Sequence, residues 1–446
     1  MDKSFDVVII GGSAAGLSTA NSVLNWYPGK KVALIRDVPY TVVPCGIPYI
    51  YGILGSVAQN KIPDEGFIKK GMQIIEKKVI HVDRKNKTVI FQDESKVSYD
   101  KLVLALGSRP NIPSMEAITF ANVFPIKKDP VFLEDLNQAL EKSRNVVIVG
   151  GGFIGVEMAE QVRLKEDRHV TLVESLPHCL MLSCEEEAGI LVEKELEAMG
   201  INVKTNTTVE ALVGKDRVEE VVLSTGERLK ADVVIFGVGC SPNTELAERI
   251  GLDADRTWGI HVDEYMRTSA EDIFACGDCC TKISAIYGEP VAVRLASVAA
   301  LEGMIAGSNL YRLTRKNRGV VGSFATKVGT ISVGSAGYTE KACRDQRINY
   351  YKGEMTAPDR HPGSLPGCTP QTKVKLLFDA STDQIIGGHI IGGIQVADMV
   401  NILALAIQQG ITADALATVQ YATHPLLTGS PLVYQVMWAA ENALVS

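Results

Sequence analysis

The 446-residue chain is 46% apolar, 22% charged and 6% aromatic, an ordinary globular composition with length for about two to four domains. Its net charge of −7 is spread without like-charged blocks, which argues against nucleic-acid binding and against a polybasic membrane patch. Nine cysteines are too sparse for a disulfide scaffold, no apolar run approaches the ~18 residues of a membrane span, and Met1–Asp6 lacks a signal-peptide profile, so a cytoplasmic protein is expected.

In chain order, Phe5–Ile10 is a short apolar run that reads as a buried strand. It leads into Gly11-Gly12-Ser13-Ala14-Ala15-Gly16 and then the helix-like Leu17-Ser18-Thr19-Ala20. A second apolar strand, Val32–Ile35, ends at Arg36-Asp37, about 20 residues beyond Gly16. That spacing suits a βαβ unit with a pyrophosphate at the helix N-terminus and a ribose on the acid. Ser13 replaces the middle glycine, so the motif alone fits a plain strand–turn–helix equally well. Cys45 follows in Val43-Pro44-Cys45-Gly46-Ile47-Pro48-Tyr49. Gly and Pro permit a tight turn into a helix, whose dipole would lower the thiol pKa. A buried packing cysteine is the alternative.

Tyr99–Ser108 reads as a strand ending in a small-residue turn at Ala105 and Gly107. The second nucleotide motif is cleaner. Strand Asn145–Val149 meets Gly150-Gly151-Gly152-Phe153-Ile154-Gly155-Val156-Glu157, and the strand Val170–Val173 ends at Glu174. A carboxylate there accepts from both ribose hydroxyls and repels a 2′-phosphate, so NADH is expected over NADPH. Two such units imply two dinucleotides, an arrangement suited to hydride passage from nicotinamide to flavin. Further on come Gly237-Val238-Gly239, the Gly277-Asp278 pair after Ile273–Ala275, and Leu295-Ala296-Ser297 opening a helix to Gly307. Thr314–Gly319 reads as a linker, and beyond it strand-like Val374–Phe378 and Gln384–Gly388 precede the apolar helix Val396–Gln408.

With these motifs in this order, the chain resembles the FAD-dependent pyridine nucleotide-disulfide oxidoreductase family over essentially its whole length. The resemblance implies an α/β protein with two Rossmann-like domains and a C-terminal α+β dimerisation domain. Residues 1–112 and 245–318 would bind FAD, 113–244 NADH, and 319–446 would form the homodimer. Asp278 would hold the FAD ribitol, and Leu295, Ala296 and Ser297 would cap the isoalloxazine. Gly11, Gly12, Ser13, Ala14, Ala15, Gly16, Arg36, Asp37, Ala105 and Gly107 would complete that site. Gly150, Gly152, Phe153, Ile154, Gly155, Glu157, Glu174 and Gly239 would line the NADH site. Cys45 would be the redox cysteine facing the flavin.

Glutathione reductase-like members carry a second cysteine five residues on, but here that position is Ile50. The chain therefore resembles the single-cysteine branch of coenzyme A disulfide reductases, persulfide reductases, NADH oxidases and peroxidases. There one sulfur cycles through a mixed disulfide, persulfide or sulfenic acid. Ala14 stands where peroxide-handling members carry a histidine, which argues against a dedicated peroxidase. The first helix, continuing Asn21-Ser22-Val23-Leu24-Asn25-Trp26, lacks the arginines of coenzyme A disulfide reductases. Ser364-Leu365 replaces their tyrosine pair before Pro366-Gly367, so a smaller disulfide, persulfide or polysulfide is as good a substrate.

His424, in Tyr421-Ala422-Thr423-His424-Pro425, resembles the histidine that glutathione reductase extends across its dimer. The glutamate that follows five residues later in that motif is Gly429 here, and a turn histidine at an interface is the alternative. His361 is a lesser candidate. The C-x-x-C of Cys276 and Cys279 beside Cys280 reads as packing, and no metal is expected. Cys179 and Cys184 share a loop without a motif. The expected enzyme is an NADH-dependent, FAD-containing reductase with sites at a homodimer interface. An NADH oxidase or peroxidase is one rival; an electron-transfer or redox-sensing subunit with a protein partner is the other.

Overall fold

The computed structural model describes residues 3–113 and 119–446. Met1 and Asp2, part of the expected leaderless start, and 114–118, inside the expected NADH domain, lie outside them. The first strand, Lys3–Ile10, is flanked in parallel by Val32–Arg36 and Lys96–Leu104, and its inner residues Val7–Ile10 are all buried. Met72–Glu76 extends this sheet on one side, and a meander of Thr88–Phe91 and Val79–Asp83 extends it on the other. Ile273–Ala275 returns from far along the chain to pair with Lys96–Leu104. Near-continuous apolar runs are what strands covered on both faces require.

A second parallel sheet repeats the plan with the order Asn202–Lys204, His169–Val173, Asn145–Val149, Val233–Phe236, Val123–Pro125. The chain enters this unit through Ser108–Pro110 and leaves it through Cys240–Pro242. These two segments pair with each other as an antiparallel ribbon.

The C-terminal unit is a five-stranded antiparallel sheet ordered Ser323–Val328, Ile331–Gly337, Ile385–Gly392, Thr372–Asp379, Tyr350–Ala357. Helices Val396–Gln408 and Gln435–Leu444 bury one apolar face of it with Val374, Leu376, Phe378 and Ile390. Its other face meets the unit of the second parallel sheet through Val328, Val333 and Ile391 and through polar groups. Ser335 Oγ donates to the Ser183 carbonyl, Glu340 N–H donates to Glu185, and Lys373 pairs with Glu187. Among the described residues, no helix is long and apolar enough to cross a membrane.

His389 lies inside this polar contact, opposite Lys375 on the neighbouring strand. Its Nε2 sits 2.9 Å from the Tyr338 carbonyl and 3.5 Å from Glu185, while Nδ1 has no hydrogen-bond partner. Burial lowers its pKa below the ordinary value, outweighing the Glu185 carboxylate. An unfolded His389 therefore takes up a proton near pH 6.5 that the folded protein refuses. Stability is expected to fall as pH drops from 7 to 5. Melting temperatures of His389→Leu should show a shallower decline over that range, and equal slopes would refute the assignment.

Candidate active site

Two glycine loops stand in the same register. Gly11 N–H donates to the Ile35 carbonyl and Gly150 N–H to the Val173 carbonyl, both at 2.8 Å. Each loop starts a helix, Ala14–Trp26 or Phe153–Arg163, directly against its own first glycine. A Cβ on Gly16 would lie 1.9 Å from the Gly11 carbonyl oxygen, and one on Gly155 would lie 1.7 Å from that of Gly150. Only glycine lets the helix begin that close. Ala105 seats beside the first loop, its N–H bonded to the Ile10 carbonyl.

Three helix starts carry no side-chain cap. Ser13, Gly152 and Leu295 cap Ala14–Trp26, Phe153–Arg163 and Ala296–Asn309 without a side-chain hydrogen bond, and no acid occupies those first turns. Elsewhere Asp129, Thr339 and Thr412 do cap their helices with side-chain acceptors. A Cβ on Gly152 would meet nothing within 4 Å, so space is open before that helix end. Helix starts without a side-chain acceptor fit the pyrophosphates of two dinucleotides and an electron-rich edge of a flavin. Gly107 and Gly239, both with positive φ, flank the crossing ribbon; Asn111 N–H donates to the Gly239 carbonyl.

The two acidic strand ends differ from expectation in one respect. The shared register aligns Glu174 with Arg36 and leaves Asp37 one residue beyond it, exposed. Arg36 is buried under Gly12, pairing with Asp64 at 2.7 Å and Glu76 at 3.1 Å and donating to the Pro39 carbonyl. Its guanidinium is thus occupied by protein, and the acid expected on the first ribose stands outside the equivalent position. The likeness of the loops concealed this one-residue offset. Glu174 itself is buried, accepting from Gly151 N–H at 2.5 Å and Leu176 N–H at 2.7 Å. Those bonds fix its carboxylate at the loop and leave lone pairs for hydroxyl donors.

Asp278 sits on the turn Gly277–Cys279, 8% exposed. Ser108 Oγ donates to it at 2.8 Å and Lys128 pairs with it at 2.9 Å. Burial alone would raise its pKa, but Lys128, Ser108 and Lys282 outweigh that and hold the carboxyl below its ordinary value. Lys128 belongs to no sequence motif, so spacing does not announce it. Its basic neighbour Lys127 and the following Asp129 N-cap were the available signals.

Cys45 is exposed on the first of two successive short 3-10 turns, Pro44–Gly46 and Pro48–Tyr51, which stand in place of the expected helix. Turns of three and four residues carry little of a helix dipole. The expected lowering of the thiol pKa is correspondingly absent in this chain. Partial burial of the sulfur and the Glu157 charge raise it, and Lys128 opposes them. Glu157 accepts from Thr326 Oγ1 at 2.9 Å; burial, with Glu160 adding, pushes its carboxyl up to about 7 despite that bond. Phe153 stacks on Phe324 with ring centroids 5.1 Å apart, and Ile154 packs against the surrounding core.

Within one chain, His424 makes its hydrogen bonds in its own loop, its Nδ1 accepting from Leu426 N–H at 3.2 Å. His361 joins that loop through its Nδ1 and the Thr428 carbonyl, 3.2 Å apart. Cys276, Cys279 and Cys280 are buried, the last two donating to the Cys276 and Gly277 carbonyls, as packing residues do.

The profile described as pyridine nucleotide-disulphide oxidoreductase matches residues 5–303, and that family's dimerisation domain matches residues 324–432. The chain is 34% identical to the NAD(P)H sulfur oxidoreductase (CoA-dependent) of Pyrococcus abyssi, over 86% of this chain and 87% of that protein. It is 30% identical to an NADH oxidase of Methanocaldococcus jannaschii, over 98% of each. Among solved structures, an NAD-dependent persulfide reductase from A. fulgidus superposes with TM-score 0.90 at 31% identity, covering 98% of this chain and 83% of that one.

Proposed function

The chain belongs to the pyridine nucleotide-disulphide oxidoreductase family, and from that premise we propose that it reduces a disulfide, persulfide or polysulfide through Cys45. The observation that carries this reading is the setting of that sulfur. Cys45 is exposed, has Ile50 where a second thiol would stand, and feels the charges of Lys128 and Glu157. A lone accessible sulfur can attack a sulfur–sulfur bond and hold half of the substrate as a mixed disulfide. FAD, when bound, supplies the two-electron chemistry between nicotinamide and sulfur. Asp278 and the uncapped helix starts would hold FAD; the Gly150–Gly155 loop and Glu174 would hold NADH.

The names of the Pyrococcus and A. fulgidus relatives support sulfur chemistry. This chain lacks the arginines and the tyrosine pair expected for coenzyme A, so the proposal rests on the sulfur–sulfur bond alone. In the homodimer, His424 would serve the Cys45 of the other subunit. It is exposed beside Leu426, Leu427 and Leu432, an apolar rim suited to cover by a second copy. All nine cysteines are free, which suits a reducing cytoplasm. Reduction of oxygen is the second reading, carried by the resemblance to the M. jannaschii oxidase.

The test is steady-state NADH oxidation with disulfides, coenzyme A persulfide, polysulfide, peroxide and oxygen as acceptors. A sulfur acceptor should give the largest kcat/KM; peroxide or oxygen in first place would replace this reading. In the same assay NADH should exceed NADPH by about tenfold or more, because Glu174 repels a 2′-phosphate. Glu174→Ala should narrow that ratio, and an unchanged ratio would remove Glu174 from coenzyme choice.

A further inference from the structure

Lys282 and Glu302 form a buried ion pair, Nζ to Oε2 at 3.0 Å, with side chains 3% and 0% exposed. The pair is wrapped around one peptide turn. Glu302 Oε2 accepts from the Gly277 N–H at 2.8 Å. Lys282 Nζ donates to the Gly277 carbonyl at 2.6 Å and to the Cys280 carbonyl at 2.9 Å. Both polar groups of Gly277 are thus held by charged side chains, alongside the Cys280 N–H that closes the turn on the same carbonyl. The second carboxylate oxygen of Glu302, Oε1, has no hydrogen-bond partner among the described residues.

The surroundings leave this turn little slack. Gly277 has a φ of +81°, and a Cβ on it would lie 2.7 Å from the Ala15 Cβ and 3.5 Å from that of Ala299. A Cβ on Gly303, next to Glu302, would lie 2.3 Å from the Ala15 carbonyl oxygen. The turn is wedged between helices Ala14–Trp26 and Ala296–Asn309, two of those that start without a side-chain cap. Asp278 follows directly, accepting from Ser108 and pairing with Lys128.

We propose that Lys282 and Glu302 are positioning residues for FAD: the pair fixes the Gly277 peptide and so sets where the Asp278 carboxyl meets the cofactor. The proposal rests on Asp278 being an FAD ligand. A buried ion pair is a poor source of stability, because taking two charges out of water offsets most of their attraction. What this pair supplies is direction. Glycine has the widest conformational freedom of any residue. Charge-assisted hydrogen bonds on both sides of its peptide hold it in one orientation. An apolar pair of similar size would fill the same space and hold nothing.

The experiment measures FAD release from the purified holoenzyme, by recovery of free-flavin fluorescence, beside the melting temperature of the apoprotein. Lys282→Met/Glu302→Leu keeps the volume and removes both charges. Its apoprotein should melt within about 5 °C of wild type, since such replacements are often neutral for stability. Its FAD release should be about tenfold faster or more, because the side-chain bonds to the Gly277 peptide are gone. Lys282→Met/Glu302→Gln restores a neutral acceptor for the Gly277 N–H, so its release rate should fall between the two. If the first variant yields no soluble protein, this second one carries the same comparison. Asp278→Ala, fast by itself, removes the group being positioned. In that background the pair variants should change release by about twofold or less.

Wild-type release in the pair variants, with fast release in Asp278→Ala, would overturn the proposal and leave Asp278 in place. The same acceleration with and without Asp278→Ala would show the pair acting through the core at large, and would also overturn it. Wild-type release in Asp278→Ala alone would remove Asp278 from the FAD site, and with it the reading on which the proposal rests.

Discussion

Cys45→Ser is expected to lower turnover of every sulfur acceptor by about a thousandfold or more while FAD remains bound. A serine hydroxyl cannot form the mixed disulfide, so the chemical step has no covalent route. Nothing else in the site should change. Cys45 lies exposed on short turns, and sulfur-to-oxygen replacement there removes no core packing. The Asp278 pair with Lys128 and the uncapped helix starts belong to other elements. Bound flavin, read at 450 nm, should match wild type, and the long-wavelength thiolate band should vanish. NADH should still bleach the flavin, and oxygen uptake should persist or rise because electrons no longer drain to sulfur. Full disulfide or persulfide reduction by the serine variant would refute the single-thiol mechanism.

Gly16→Ala should cost FAD retention. The added methyl would sit 1.9 Å from the Gly11 carbonyl oxygen, well inside contact distance, and that oxygen belongs to backbone. Either the helix withdraws or the loop unfolds, and both scatter the N–H groups meant for the pyrophosphate. The protein should purify largely without flavin, with FAD affinity weakened by roughly a hundredfold, about 2.7 kcal/mol. Gly66→Ala is the matched control, since a Cβ there meets nothing within 4 Å. It should keep its flavin. Normal flavin content in Gly16→Ala would mean that the first loop does not carry the cofactor.

What could be read in advance follows from which physical demands leave a mark on single residues. A helix that starts against its own loop demands glycine, so Gly11, Gly16, Gly150 and Gly155 announced both nucleotide units and with them the fold class. Strand Asn145–Val149 and helix Val396–Gln408 have the same limits in sequence and structure, because continuous apolar runs end sharply at polar or glycine neighbours. Arg36 shows the limit. Whether a strand ends one residue sooner is decided by pairing with Met72–Glu76, a contact remote in sequence. Its ion pairs with Asp64 and Glu76 likewise come from other segments. The helix expected at Cys45 failed for a local reason: Pro44 and Pro48 each start a turn, and together they leave no room for one continuous helix. Lys128 and the raised carboxyl of Glu157 depend wholly on tertiary neighbours, and no spacing rule reports those.

The ribbon of Ser108–Pro110 against Cys240–Pro242 bears on how such a chain assembles. Ile273–Ala275 must find Lys96–Leu104 across an intervening stretch long enough to make that search slow in an open coil. Once the inserted unit has folded, its two ends, at Asn111 and Gly239, already lie side by side. The first sheet then closes as if the whole insert were a hairpin loop, and the entropy of a long open loop is never incurred. Assembly order follows: the inserted unit should acquire amide-exchange protection before the edge strand Ile273–Ala275 does.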